Sequence, residues 1–428
     1  MRNDTFAVRL KRLRKEAGMS QRELAEPGYT HAYVSTIESG KRDPSRAAVE
    51  YFAVRLGRDV DELLTGRPPD LIPRIELELR EARRAASAGE LDEAMATCER
   101  LATQAAEYEI PRLRSKALQG AGLCRELRGD LDEAIRLYEE AEAVVRHEPA
   151  PLKVEAIAAR ARCLQMKGEN RTAIYALEQV LEALEQEGLM DPDALVRVHT
   201  SLVAAYFEEG AYKRASASAE SALSLAPRTT NPEHQANMHL NVARMFLAQG
   251  RAQDAHSSLR RAEDLFRELD LLQEVARCHH ARGYICSRQG ELDQARQEFT
   301  RAVEGFEQAQ APIMVARSTT ELARLERLQG DVNSAEKHLH EARELLQDQD
   351  VFDLGEVYRE LGLCYFTSDP ARAESHLREA AGLFKTADQH VEFAATSRML
   401  GDLLLEQGST EAAVEAFRLG ITTIEERL

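Results

Sequence analysis

The sequence predicts an all-α protein in two parts, a small helical head and a long α-solenoid. Three observations predict it. Residues 20–40 read as two short capped helices around a tight turn, nine turn signals recur at a near-constant period from residue 89 onward, and the proline-rich stretch TGRPPDLIP separates the two patterns. A chain of 428 residues also exceeds one domain of usual size, so two or more are expected.

In the head, Ser20 followed three residues later by Glu23 forms a capping box that opens a helix, with Leu24 and Ala25 on its apolar side. Pro27-Gly28 breaks that helix. Thr30 caps the next one, whose Val34 and Ile37 are three apart and share one face. Gly40 ends it as a C′ glycine does. Two short helices around a turn, polar and basic outside, have the form that enters a major groove.

These residues carry a resemblance. SQ-x-ELA, S-x-IE-x-G-KR-x-PS and the closing DELL at Asp61–Leu64 are similar to the Cro/C1-type (XRE family) helix-turn-helix repressors over about the first 66 residues. One residue fewer stands between LA and the turn glycine than the family usually has. The resemblance implies a five-helix DNA-binding head over residues 1–66, with the N-terminal side chains of the recognition helix on base edges. Those positions are Thr30, His31, Ala32, Ser35 and Thr36, with Tyr33 against sugar or phosphate. His31 and Thr36 suit hydrogen bonds to base edges, and Ala32 suits a thymine methyl. Gln21 matches the family's backbone-contacting glutamine, and Arg22, Lys41, Arg42 and Arg46 are placed to neutralise phosphates. Arg9, Arg12 and Arg14 either assist or form a solvated basic face. The alternative for the whole head is a protein-binding module, against which the basic pair after Gly40 counts.

Pro68, Pro69 and Pro73 forbid one continuous helix, so residues 67–73 are expected to form a short stiff linker. The array is then expected over 74–428. The alanine five residues after each turn position falls at Ala94, Ala134, Ala173, Ala215, Ala255, Ala295, Ala335, Ala373 and Ala413, at spacings of 38–42 residues. A fixed period of this size means stacked helix pairs. The alanine marks the crossing of the two helices, where only a small side chain fits. Larger apolar residues follow four positions later, and small ones often three beyond those. This small–large–small pattern resembles the tetratricopeptide repeat, with a longer unit and no tryptophan, and the resemblance implies a right-handed superhelix. Nine units and eighteen helices are expected. The eighth unit lacks its turn glycine.

The net charge is −17, and its distribution is uneven: residues 1–67 carry +3 and the rest −20. A basic reader on an acidic body suits selective contact with nucleic acid, although an ordinary acidic protein with a neutral head has the same balance. Nine lysines among 56 basic residues are the bias of a GC-rich genome, such as an actinobacterial one. Neither a signal peptide nor a membrane span is legible, and six scattered cysteines suit a reduced cytoplasmic protein. Cys278, His279, His280 and Cys286 do not share a helical face, so no metal site is expected and no cofactor either. No phosphate loop, GxSxG or HExxH stands in the chain, which points away from an enzyme.

Counting back from the turn glycines gives two first-helix positions seven residues apart that face inward. They hold Arg162, Arg244 and Arg324 with Tyr284, and Arg197, Arg277 and Arg317 with Asn237. Arginine's planar fork suits carboxylate or phosphate, and asparagine suits a peptide backbone. The competing expectation is that these arginines pair with Glu and Asp of neighbouring helices and hold the superhelix in shape. The head-plus-array layout resembles the RRNPP quorum-sensing regulators. It implies double-stranded DNA with a pseudo-palindromic operator, a peptide or other anionic ligand in the groove, and a homodimer, because one head offers only a small interface. The alternative is a DNA-bound adaptor whose array recruits a protein partner without a small ligand.

Overall fold

The computed structural model describes residues 5–188, 191–346, 351–387 and 389–425, and among these the chain is helical throughout, with no strand. The head holds five helices: α1 Phe6–Glu16, α2 Gln21–Ala25, α3 His31–Glu38, α4 Arg46–Leu56 and α5 Val60–Thr65. Ser20 and Glu23 close the capping box, and Thr30 caps α3. Gly40 sits at φ +72°, with its N–H donating to Ile37 and that of Lys41 to Thr36, which completes the C-terminal turn. Leu10, Leu24, Val34, Ile37, Phe52 and Leu63 form a core belonging to the head alone.

Among the described residues the array holds eighteen α-helices in nine pairs. They are α6 Leu71–Ser87 with α7 Leu91–Glu107, α8 Pro111–Leu127 with α9 Leu131–Val144, and α10 Val154–Met166 with α11 Asn170–Gln186. Next come α12 Pro192–Glu208 with α13 Tyr212–Leu225, α14 Pro232–Ala248 with α15 Ala252–Glu268, and α16 Leu272–Gln289 with α17 Leu292–Gln308. Last are α18 Pro312–Leu328 with α19 Val332–Leu346, α20 Val351–Tyr365 with α21 Pro370–Thr386, and α22 His390–Glu406 with α23 Thr410–Glu425. All nine crossing alanines are at most 1% exposed. The eighth pair turns without glycine, and Asp369 caps α21 instead.

The helix α6 begins at Leu71, three residues before the expected start of the array, and takes Pro73 into its first turn. The N–H that proline lacks has no intrahelical partner there in any case. Arg67 of the connecting segment donates to the carbonyls of Tyr108 (2.9 Å) and Glu109 (2.7 Å), so the link is tied to the first unit. No helix among the described residues is long and apolar enough to cross a membrane.

Candidate functional site

The outer face of α3 presents His31, Ala32 and Ser35 to solvent. Thr30 is exposed, and its hydroxyl oxygen accepts the Tyr33 N–H at 3.3 Å, which leaves its proton available. Thr36 is half-buried, and its hydroxyl donates back to the Ala32 carbonyl, so toward a base it can only accept. Lys41 and Arg42 stand exposed beyond the C-terminus of α3. Arg22 and Arg46 are exposed but bonded to Glu26 (2.7 Å) and Glu50 (3.2 Å) one turn on. Such surface pairs are worth about 0.3–0.5 kcal/mol, so a phosphate displaces the carboxylates at little cost.

Four residues depart from the expected contacts. Tyr33 is half-buried, stacked on Tyr29 with centroids 5.0 Å apart, and carries the Arg42 guanidinium 5.1 Å above its ring. It shapes the surface and positions Arg42 rather than standing free for sugar or phosphate. The Gln21 amide donates to Glu38 at 2.9 Å. Arg14 is buried, bonding Glu38 through two nitrogens (2.6 and 2.9 Å) and the Met19 carbonyl (2.6 Å). Arg9 is buried and donates to the Leu63 carbonyl at 3.2 Å. Arg9 and Arg14 are therefore neither DNA contacts nor a solvated face. They close the head from inside. One sequence signal foretells this: Glu38 lies four residues after the core residue Val34, on the same helical face, and a carboxylate there needs a cation.

The first helices of the units line a groove of about 2760 Å³. That is larger than the ~300–1,000 Å³ of ordinary small-molecule sites and has room for an extended chain. Arg162, Arg197, Asn237, Arg244, Arg277, Tyr284 and Arg317 all line it, and Arg324 does not. Most of the arginines are already neutralised. Arg162 meets Glu126 at 2.5 Å, Arg197 meets Glu155 at 3.1 Å, Arg244 meets Glu208 at 2.7 Å and Arg317 meets Asp353 at 2.6 Å. Arg324 holds Glu321, Glu356 and Glu360 at 2.8–3.0 Å. The competing expectation describes these five: they tie each unit to its neighbour.

Arg277 differs. Among the described residues it has no carboxylate in ion-pair contact, and burial holds its pKa below the ordinary arginine value, despite Glu274 nearby. Nearby His280 is held down to about 4 by burial and by Arg317 and Arg277, and it bonds Ser318 at 2.9 Å as a neutral ring. Arg80, Arg112 and Lys116 also line the groove without an ion-pair partner among the described residues. Burial, followed by Arg112, lowers the Lys116 pKa, while Glu76 and Glu155 oppose this. Sequence reasoning missed these three, yet Arg112 and Lys116 are four apart on α8 with no acid three or four residues away within that helix. Asn237 donates to the Glu233 carbonyl at 3.0 Å, and Tyr284 is 44% exposed.

His256, Cys286 and Glu291 bring ligand atoms within 4.8 Å of one another. His256 lies 3.1 Å from Gln289, but Ser216–Gln249 and Arg296–Gln329 bridge the same two positions one repeat earlier and later. His256 thus fills a structural rung of the repeat. His279 bonds Glu298 at 2.8 Å, and all six cysteines are buried and free.

Comparison with known proteins agrees with this division. Residues 5–65 match the family model of a helix-turn-helix domain. Residues 203–345 match that of soluble NSF attachment protein, SNAP. No curated protein sequence matches the chain. Among solved structures, a Rap protein complexed with competence and sporulation factor is similar with a TM-score of 0.58 at 14% identity, over 83% of this chain and 98% of that one. The apo form of the quorum sensor NprR from B. thuringiensis gives 0.56 at 14% identity, over 83% and 100%. Aspartyl phosphate phosphatase F from Bacillus subtilis gives 0.51 at 15% identity, over 82% and 93%. The chain carries a helix-turn-helix domain, and its body has the helical-repeat fold of these proteins. The resemblance legible in the sequence therefore holds for the fold.

Proposed function

We propose that this protein is a sequence-specific DNA-binding transcriptional regulator whose activity responds to a peptide or other anionic ligand in the groove of its array. The observation that carries the reading is the outer face of α3, polar and exposed at His31, Ala32 and Ser35 and continued by the exposed cations Lys41 and Arg42. Such a face offers base-edge chemistry beside phosphate chemistry. One head covers little DNA, so two heads of a homodimer on a pseudo-palindromic operator supply the affinity. The groove supports the ligand half of the reading through its size and through Arg80, Arg112, Lys116 and Arg277. Asn237, Asn241 and Gln273 on the same wall suit a peptide backbone.

Binding of the purified full-length chain to fragments of its host genome, across salt concentrations, tests the first half. Preference for particular fragments over random duplex supports it, and equal affinity for all overturns it. Native mass spectrometry of chain purified from its own host tests the second. A co-purified peptide-sized mass supports sensing, and a stoichiometric protein replaces it with the adaptor reading.

A further inference from the structure

The array closes on itself. The helix α6 lies against the N-terminal turns of α14 and α16, whose contacting residues follow it by 150–191 residues. Arg83 bonds Glu233 at 2.9 Å and Glu274 at 2.5 Å. Ser87 Oγ donates to Glu274 at 2.5 Å and accepts the Gln273 N–H at 3.1 Å. Arg84 donates to the Leu269 carbonyl at 3.2 Å. Ser87 and Glu274 are only 0% and 7% exposed. The turn after α6 is pressed equally close: a Cβ added at Gly89 would lie 2.6 Å from Gln310 Cβ and overlap the Ala309 carbonyl.

This closure is polar, so its strength depends on the charge around one buried carboxylate. Burial raises the Glu274 pKa, but Arg83, Ser87 and Arg277 together outweigh that and hold the group ionised. Arg277 lies three residues beyond Glu274 on α16, close enough to a full turn to sit beside it, and faces the groove. An anion on Arg277 would remove its support for Glu274 and set a second negative charge beside it, where low dielectric makes like charges costly. The helix α6 also follows directly on the segment that carries the head, which Arg67 ties to the first unit.

We infer that the contact of Arg83 and Ser87 with Glu274 is a latch, which an anionic group bound at Arg277 opens, moving α6 and the head it carries. The inference rests on the groove reading above and adds its route to the DNA. It needs two states of the array with different affinities for the ligand.

Spin labels on cysteines introduced at the exposed Glu81 (α6) and Glu268 (α15) would report closure, since the native cysteines are buried. The wild type is expected to give one short, narrow distance. Arg277→Glu, a fixed negative charge in place of a ligand, and Glu274→Gln are both expected to lengthen and broaden it. Gly89→Ala should do the same without touching a charge. Gly129→Ala is its control, because Gly129 has the same left-handed φ (+82° against +87°) but nothing within 4 Å of the added Cβ. Wild-type distances in Arg277→Glu and Gly89→Ala would overturn the latch, as would equal opening in Gly89→Ala and Gly129→Ala. On a genomic fragment selected by the wild type, Gly89→Ala should change affinity at least fivefold and Gly129→Ala should not. Opening without that change removes the coupling to the head and leaves the groove reading standing. A wild type that prefers no fragment sinks the regulator reading and leaves the distances to decide the latch.

Discussion

Arg162 and Glu126 meet through two hydrogen bonds of 2.5 and 2.7 Å although 36 residues separate them. Arg244 with Glu208, Arg317 with Asp353 and Arg324 with Glu360 repeat that separation. With a period near 40, a separation of 36 is one unit less about one helical turn. It brings a side chain beside its partner on the neighbouring first helix. Glu126 also accepts the Tyr138 hydroxyl at 2.9 Å, so one buried carboxylate serves two partners. Glu126→Gln should destabilise the surrounding units by about 2–3 kcal/mol, below the top of the range for broken buried pairs because the Arg162 side chain stays 38% exposed. Native-state hydrogen exchange should show the loss in α8–α10 and leave α20–α23 unchanged, since solenoid units feel only their neighbours. Uniform loss along the array would contradict this.

The separation of 36 was present in the sequence, and so was the competing expectation that the arginines pair. Periodicity alone could not choose between the readings, because a stripe of arginines facing a groove and a stripe bridging neighbouring helices have the same spacing. The carboxylates decide, and they lie on other units. The head was legible for a simpler reason: caps, turn and core of residues 20–40 are local. Arg14 was the exception, since its partner Glu38 comes from another helix.

The head should be sensitive to acid through Glu38. Burial alone would raise the pKa of this carboxyl, but the hydrogen bonds from Arg14 and Gln21 and the charge of Arg14 lower it overall. A depressed carboxyl stabilises above its unfolded pKa and loses that contribution as pH falls through the folded value. Head stability should therefore be flat near neutrality and fall below the ordinary glutamate range. Arg14→Ala should cost about 3–5 kcal/mol by leaving a buried carboxylate unpaired, enough to unfold so small a domain. Arg14→Ala with Glu38→Leu should recover much of it. Denaturant melts of the head's circular dichroism against pH test both, and an acid transition unchanged in the double variant would be the wrong result.

Glycines on the first helices face the aromatic side chains of the second. A Cβ at Gly283 would lie 2.8 Å from the Phe299 ring, and one at Gly122 would lie 2.7 Å from that of Tyr138. Alanine gains up to ~1 kcal/mol over glycine in a helix, whereas overpacking costs about 1–3 kcal/mol, so the clash wins. Gly283→Ala should lower stability by about 1–2 kcal/mol, and Phe299→Leu in the same chain should restore part of it. Gly382, on α21 with nothing within 4 Å, is the opposite case: Gly382→Ala should stabilise by about 0.5–1 kcal/mol. Thermal unfolding separates the signs, and destabilisation by both alanines would refute the packing account.

On DNA, Lys41 and Arg42 should act through phosphate. Each alanine substitution should weaken binding evenly across sequences and reduce the slope of log affinity against log salt by about 1. Arg22 and Arg46 should contribute less until a phosphate displaces Glu26 and Glu50, so Glu26→Gln should strengthen non-specific binding. His31→Ala should instead change which fragments are preferred. Titrations at several salt concentrations read slope and preference separately, and a preference shift from Lys41→Ala would place that residue on a base.

Arg277 and Arg324 should separate ligand response from folding. Arg324 anchors Glu321, Glu356 and Glu360, so Arg324→Ala leaves three carboxylates without their shared cation and should destabilise the array by about 3 kcal/mol or more. Arg277 is half-buried with no carboxylate in ion-pair contact among the described residues, so Arg277→Ala removes a desolvated charge together with its modest support for Glu274, and the two offset: the melting temperature should stay near that of the wild type. If host extract changes DNA binding by the wild type, Arg277→Ala should abolish that change while basal binding persists. Arg244→Glu with Arg324→Glu would blunt the response only through loss of folded protein. An intact response in Arg277→Ala, with the array fully folded, would move the ligand toward Arg80, Arg112 and Lys116 at the N-terminal end of the groove.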